Sequence, residues 1–217
     1  MKIKTKKIAL SAIMIGISLS IALLFELVPL KLPYGGSFTI ASMLPIIVIA
    51  YIYGVGWGLV CGGVYSVLQL FISMRTVSAM FLPGEDGKVL LLNAILITLF
   101  DYILAYSLLG LGGATRRMKN RTSALVLGCL IGLGARYICH IVSGAIFYGE
   151  WAEWFFSQKG LEWLAEIVLP RFSGFSLALV YSTVYNGLYM IPEIIITALA
   201  AIPVSRISQV RRADEAR

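Results

Sequence analysis

Charge is the scarcest property of this chain. Only 13% of its 217 residues are Asp, Glu, Lys or Arg, where a soluble domain carries about 25%. Histidine occurs once, at His140, which excludes any site built on several imidazoles. Three cysteines, Cys61, Cys129 and Cys139, lie without CxxC or metal-type spacing, so neither a disulfide framework nor a zinc site is indicated. The chain has no HExxH, no GxSxG and no phosphate loop; Gly84-Glu85-Asp86-Gly87-Lys88-Val89 does not fit GxxxxGK[ST]. Metalloprotease, serine hydrolase and ATPase chemistry are therefore not expected, and no cofactor is called for.

Apolar sequence fills the space that charge leaves. Hydrophobic residues make up 59% of the chain, and the mean hydropathy is +0.88. This is the composition of an integral membrane protein, with loops too short for a second domain. We expect one all-α domain over residues 1–217, a bundle of six transmembrane helices at about 8–28, 38–53, 57–74, 89–113, 123–148 and 174–203. Most are near or above the roughly 20 residues that cross a bilayer, and the second is the shortest. Lys2, Lys4, Lys6 and Lys7 precede the first run, whose length and lack of a clean cleavage site mark a helix rather than a signal peptide. A tight turn at Tyr53-Gly54-Val55-Gly56 separates the second and third spans. No internal repeat is visible, and Pro45 and Pro192 do not correspond between halves as in inverted-repeat transporters.

The net charge of +7 is distributed as an orientation signal. Twelve basic residues, near the N-terminus, at 116–121 and after the sixth span, fall on one side, and five fall on the other with seven acidic residues. Both termini are expected in the cytoplasm of a bacterial-type cell, with the basic residues against lipid headgroups and no nucleic-acid partner. Residues 149–172 interleave Trp151, Trp154, Phe155 and Trp163 with Glu153, Glu162 and Glu166. That pattern predicts an amphipathic segment on the outer surface, stopped at Pro170 and compatible with a lid.

Four ionisable residues remain at bilayer depth: Asp101, Arg136, His140 and Glu193. Each costs about 2.5–3.5 kcal/mol near a helix centre by insertion scales, and the default explanation is functional. Counting helical rise places Asp101, His140 and Asn186 roughly 12–18 Å below the outer surface on three different spans. Such groups can converge on one ligand, with Tyr102, Tyr137, Tyr148, Tyr181 and Tyr185 supplying aromatic faces. Arg136, His140 and Gly144 share one helix face, and the glycine permits close approach. A carboxylate, an imidazole, an amide and tyrosines suit a flat, hydrogen-bonding, cationic heteroaromatic ligand. The plainer alternative is that Asp101 pairs with Arg136 and locks two helices.

The stretches GGSFTIASMLPI (35–46), FDYILAYSLLGLGG (100–113), RYICHIVSGAIFYGEWA (136–152) and VYSTVYNG (180–187) are similar, in this order, to the thiamine-specific substrate-binding subunit (S-component) of energy-coupling factor (ECF) vitamin importers. The resemblance implies a vitamin-uptake protein of the cell membrane that binds thiamine and has no enzymatic activity. It implies substrate contacts at Asp101, Tyr102, His140, Gly144, Tyr148, Tyr181, Asn186 and Gly36, with Arg136 behind them as a counter-charge to Asp101. Asp101 stands where some relatives carry glutamate, Tyr148 where some carry tryptophan, and Gly36 where some place a tryptophan over the site. The resemblance also implies a transmembrane coupling protein and two cytoplasmic ATPases as partners, docked at small residues of the first helix, here Ala9, Ala12 and Gly16. An S-component for another vitamin or precursor, a small membrane enzyme and a self-sufficient secondary transporter are the competing readings.

Overall fold

The computed structural model describes residues 3–27, 39–82, 91–208 and 210, and among them every regular element is helical. The expected loops at 29–37 and 83–87 fall outside the described residues. Helix α1 is Ile3–Leu27, α2 Leu44–Tyr53, α3 Val55–Ile72 and α4 Met74–Ala79. The fourth long run, Leu91–Arg117, passes from α5 (Leu91–Thr98) through a π-helical turn (Leu99–Leu104) and α6 (Ala105–Ser107) into a 3₁₀ segment, Leu108–Thr115. Helix α7 is Arg121–Phe147; a 3₁₀ turn, α8 (Ala152–Phe156) and α9 (Glu162–Val168) connect it to α10, Gly174–Val204.

Local chemistry sets several of these ends. Asn120 caps α7 by accepting from the Ser123 N–H at 2.9 Å, and Ser173 and Ser176 form a reciprocal capping box on α10. Gly54, at φ +93°, separates α2 from α3 at the expected turn. Pro192 and Pro203 are absorbed inside α10 without interrupting it.

Five helices among the described residues are long and apolar enough to cross a membrane. The second expected span, 38–53, is helical only from Leu44, which corrects its boundary. Pro45 stands at the start of α2, where its missing N–H is harmless; deeper in a helix its ring would clash with the carbonyl four residues before. Ten residues make a helix about 15 Å long, half a bilayer core. The residues before it, 39–43, form a turn in which Ala41 adopts φ +58°.

Helix α2 is the hub: every residue from Leu44 to Ile52 is buried. It is packed by α1, α3, the 3₁₀ segment and α7, and glycines let these backbones close in. A Cβ on Gly110 would lie 2.2 Å from the Leu59 nitrogen, and one on Gly58 would lie 2.4 Å from the Ala50 Cβ. Gly112 and Gly128 face each other with the same constraint, at 2.7 and 2.5 Å. Basic side chains gather at this end of the bundle: Lys7 sits over the Trp57 ring at 3.9 Å, and Arg116 donates to the Ile52 carbonyl at 3.2 Å. On the outside, Ile8, Ile13, Leu24, Phe71, Leu92 and Ile146 are exposed, while Gln69, Arg136, His140, Asn186 and Glu193 are buried. Apolar outside with polar inside is the arrangement lipid solvent requires, and the chain is a membrane protein.

Candidate functional site

Away from the basic end, the helices part around a cavity of about 760 Å³, within the range of small-molecule sites. It is lined by the π-helical turn, α3, α7, α10 and the turn before α2. Asp101 and Tyr102 project into it from the π turn, a departure from α-geometry that is common at functional sites. Nothing in the periodicity of 89–113 announces this turn.

Asp101 and His140 meet, as their shared depth predicts. The His140 Nδ1 lies 2.9 Å from one carboxylate oxygen, and the Ser143 hydroxyl donates to the other at 3.1 Å. A carboxylate accepts only, so Nδ1 carries the proton, and whenever the ring is neutral Nε2 is an acceptor. That Nε2 is buried without a protein partner. Ser143, one helical turn beyond His140, was legible as a residue of the same α7 face but carries no signal of its own.

Arg136 does not serve as the counter-charge to Asp101. Its guanidinium lies over the Tyr106 ring at 4.3 Å and donates to the Met43 sulfur at 2.7 Å, with Nε unpartnered. It lines the cavity itself. The side chain starts one full turn from His140 and points to a different neighbour, so the expected Asp101–Arg136 pair is replaced by Asp101–His140. A guanidinium without an oxygen acceptor among the described residues is poised for one from a ligand.

Asn186 lines the cavity, yet its hydrogen bonds are used within the protein. Its amide donates to the His140 carbonyl at 3.2 Å and to Ser182, and its oxygen accepts from the Tyr189 hydroxyl. It therefore ties α10 to α7 and orients Tyr189, which meets the His140 ring edge-on at 6.0 Å. Tyr189 is three residues beyond Asn186 and shares its face; helical spacing alone could have found it. Gly144 is required by close approach: a Cβ there would lie 2.2 Å from the Ser182 hydroxyl.

Tyr148, Tyr181 and Tyr185 form one aromatic wall. Tyr181 and Tyr185 lie 5.7 Å apart, and Phe155 of the 149–172 connection backs them at 5.3 and 5.8 Å. That connection is thus partly core, with Phe155 and Phe156 fully buried, while Trp151, Trp154 and Trp163 face outward as anchors. None of its residues lines the cavity. Tyr137 departs from expectation: its hydroxyl donates to the Thr183 carbonyl on the exposed side of the α7–α10 seam. Gly36 lies outside the described residues. Ala9, Ala12 and Gly16 are exposed, and a Cβ on Gly16 would touch nothing within 4 Å, so these small residues are not used for packing inside the chain. All three cysteines are buried and free, and no group of three metal-type ligands occurs among the described residues.

With this geometry in place, the comparisons with known proteins are specific. Residues 12–157 match the model of the family described as thiamine transporter protein (Thia_YuaJ). The chain is 29% identical over 181 residues to the thiamine transporter ThiT of Bacillus subtilis (strain 168), covering 78% of this chain and 75% of that protein. Its fold is similar to the solved structure of ThiT from Listeria monocytogenes, with TM-score 0.63 at 19% identity over 98% of this chain and 99% of the other. The family that matches is described as one of transport proteins. The chain belongs to the thiamine transporter protein family.

Proposed function

We propose that this chain is the thiamine-binding S-component of an ECF-type importer, holding thiamine in the cavity and passing it to a separate ATP-driven coupling module. The observation that carries the reading is the cavity's polar set: Asp101 bound to His140, with the Arg136 Nε unpartnered, between tyrosine walls. The lining holds two carboxylates, Asp101 and Glu193, and one guanidinium, Arg136. With neutral His140 this leaves one negative charge, which a monocationic thiazolium offsets. Tyr148, Tyr181 and Tyr185 offer faces to that cation, worth about 0.5–2 kcal/mol per good contact. The aminopyrimidine ring carries an exocyclic amine and ring-nitrogen acceptors; His140 Nε2 accepts from the first, and Arg136 donates to the second. Tyr102 and Gly144 complete the walls, Asn186 sets the position of His140 and Tyr189, and Gly36 is a substrate contact that the family resemblance alone implies.

In this reading residues 1–217 form one six-helix domain of the plasma membrane, α2 together with the segment before it being the short second span, with both termini cytoplasmic. Ala9, Ala12 and Gly16 receive the transmembrane coupling protein, which works with two cytoplasmic ATPases. Purified protein should quench its intrinsic fluorescence saturably with micromolar thiamine. No saturable change with thiamine, alongside one with riboflavin or the isolated pyrimidine, would move the assignment to another vitamin or precursor. Uptake into proteoliposomes should require the coupling module and ATP; uptake by this chain alone would identify a self-sufficient secondary transporter.

A further inference from the structure

The deep end of the cavity holds a second buried carboxylate that the ligand contacts above do not use. Glu193, 2% exposed, lines the cavity on α10. Its Oε2 accepts from the Thr39 backbone N–H at 2.6 Å and from the Thr39 hydroxyl at 3.0 Å. Thr197, one turn along α10, adds a long contact at 3.4 Å. No cation lies within salt-bridge distance of this carboxylate among the described residues; Arg136 acts on it only through the cavity, and its hydrogen bonds come from Thr39 and Thr197.

Thr39 is the first described residue of the segment that precedes α2. Its N–H donates to Glu193, and its hydroxyl lies 2.6 Å from that of Ser42. Between them Ala41 sits in the left-handed region, at φ +58°, where a Cβ is disfavoured and the conformation persists only when its surroundings hold it. The turn ends at Met43, whose sulfur receives the Arg136 guanidinium. A continuous set of contacts therefore runs from Glu193 through Thr39 and the turn to Met43 and Arg136.

We propose that Glu193 is a positioning residue for the ligand site. Its clasp on Thr39 holds the 39–43 turn as the cavity floor, and the floor seats Met43 against Arg136 so that the guanidinium faces the ligand. Glu193 thus acts through the turn and not by touching the ligand. This rests on the reading that the cavity holds the transported solute. A carboxylate suits the task because two donors of one residue converge on it, and charge-assisted hydrogen bonds are about twice as strong as neutral ones.

The test compares thiamine dissociation from the wild-type protein with that from Thr39→Val, Glu193→Gln, the double variant and Thr39→Ser. Each of the first two should speed dissociation roughly tenfold to a hundredfold, the scale of one hydrogen bond to a buried charge. The double variant should be no faster than the faster single one, because both break the same clasp. Thr39→Ser keeps hydroxyl and N–H and should stay within about twofold of wild type. Arg136→Gln added to Glu193→Gln should change little, whereas Asp101→Asn should add its full effect. Unchanged dissociation in Glu193→Gln, or additive effects of the two clasp variants, overturns the proposal. Amide hydrogen exchange over residues 39–44 in the ligand-free protein separates this from the thiamine assignment. Faster exchange in Glu193→Gln supports the clasp and unchanged exchange refutes it, whichever solute the wild type binds.

Discussion

The two ends of this bundle are built from similar apolar helices and do opposite things. At the basic end, α2, α3, the Leu108–Thr115 segment and α7 meet through Gly58, Gly110, Gly112 and Gly128, and the backbones come into contact. That end is solid, with Ile46, Ile47, Leu109, Leu125 and Leu133 fully buried around α2. At the other end the same α7 carries Arg136, His140 and Ser143, and α10 carries Tyr181, Tyr185 and Tyr189. Helices α7 and α10 stay in contact through Gly144 and Ser182, but their large polar and aromatic side chains hold open the space toward the π turn and the segment before α2, and a cavity remains. Helix association in lipid is driven by packing and hydrogen bonds, not by the hydrophobic effect, so residue size decides which end closes. Rigidity at one end supports a preorganised site at the other.

Substitutions that exchange the character of the two ends test this contrast, and the largest effect is expected at the solid one. Gly110→Val places atoms inside the Leu59 backbone, which cannot move cheaply. Overpacking ordinarily costs about 1–3 kcal/mol; against backbone the expected outcome is no folded protein, read as loss of a monodisperse species in detergent. Phe155→Ala removes the fully buried ring behind Tyr181 and Tyr185. A loss of about 3–5 kcal/mol is expected in thermal or denaturant unfolding, with weakened ligand binding as its consequence. Asp101→Asn should leave the unfolding midpoint nearly unchanged and still weaken thiamine binding by roughly a hundredfold, since truncating a buried hydrogen-bonded charge costs about 2–5 kcal/mol. Equal losses of stability and affinity would show that the pair with His140 is a helix lock rather than a site. Trp154→Ala, at an exposed anchor, should change neither quantity by more than about 0.5 kcal/mol.

Much of the architecture was legible because helix ends and depth are local properties. The Gly54 turn marks a boundary that the structure keeps. Counting residues at 1.5 Å each brought Asp101, His140 and Asn186 to one level, and they do lie together. The start of α2 was misplaced because hydropathy does not distinguish a buried turn from a buried helix, although Pro45 held the clue. The π turn at Asp101 and the roles of Ser143, Met43 and Thr39 had no sequence signal strong enough to single them out, whereas Tyr189 could have been found from its spacing to Asn186.

What the sequence by itself determined is therefore composition, span and depth: a helical membrane protein with a few ionisable groups gathered at one level. What only the tertiary structure decided is pairing. Arg136 and His140 lie on one face of α7 about 6 Å apart along its axis, so how α7 packs against the π turn selects which of them Asp101 meets. Rise along a helix is fixed by backbone hydrogen bonds within it, whereas rotation about its axis is set by the packing of every neighbour. That packing gave Asp101 to His140, left Arg136 for the cavity, and joined Glu193 to Thr39 across 154 residues of chain.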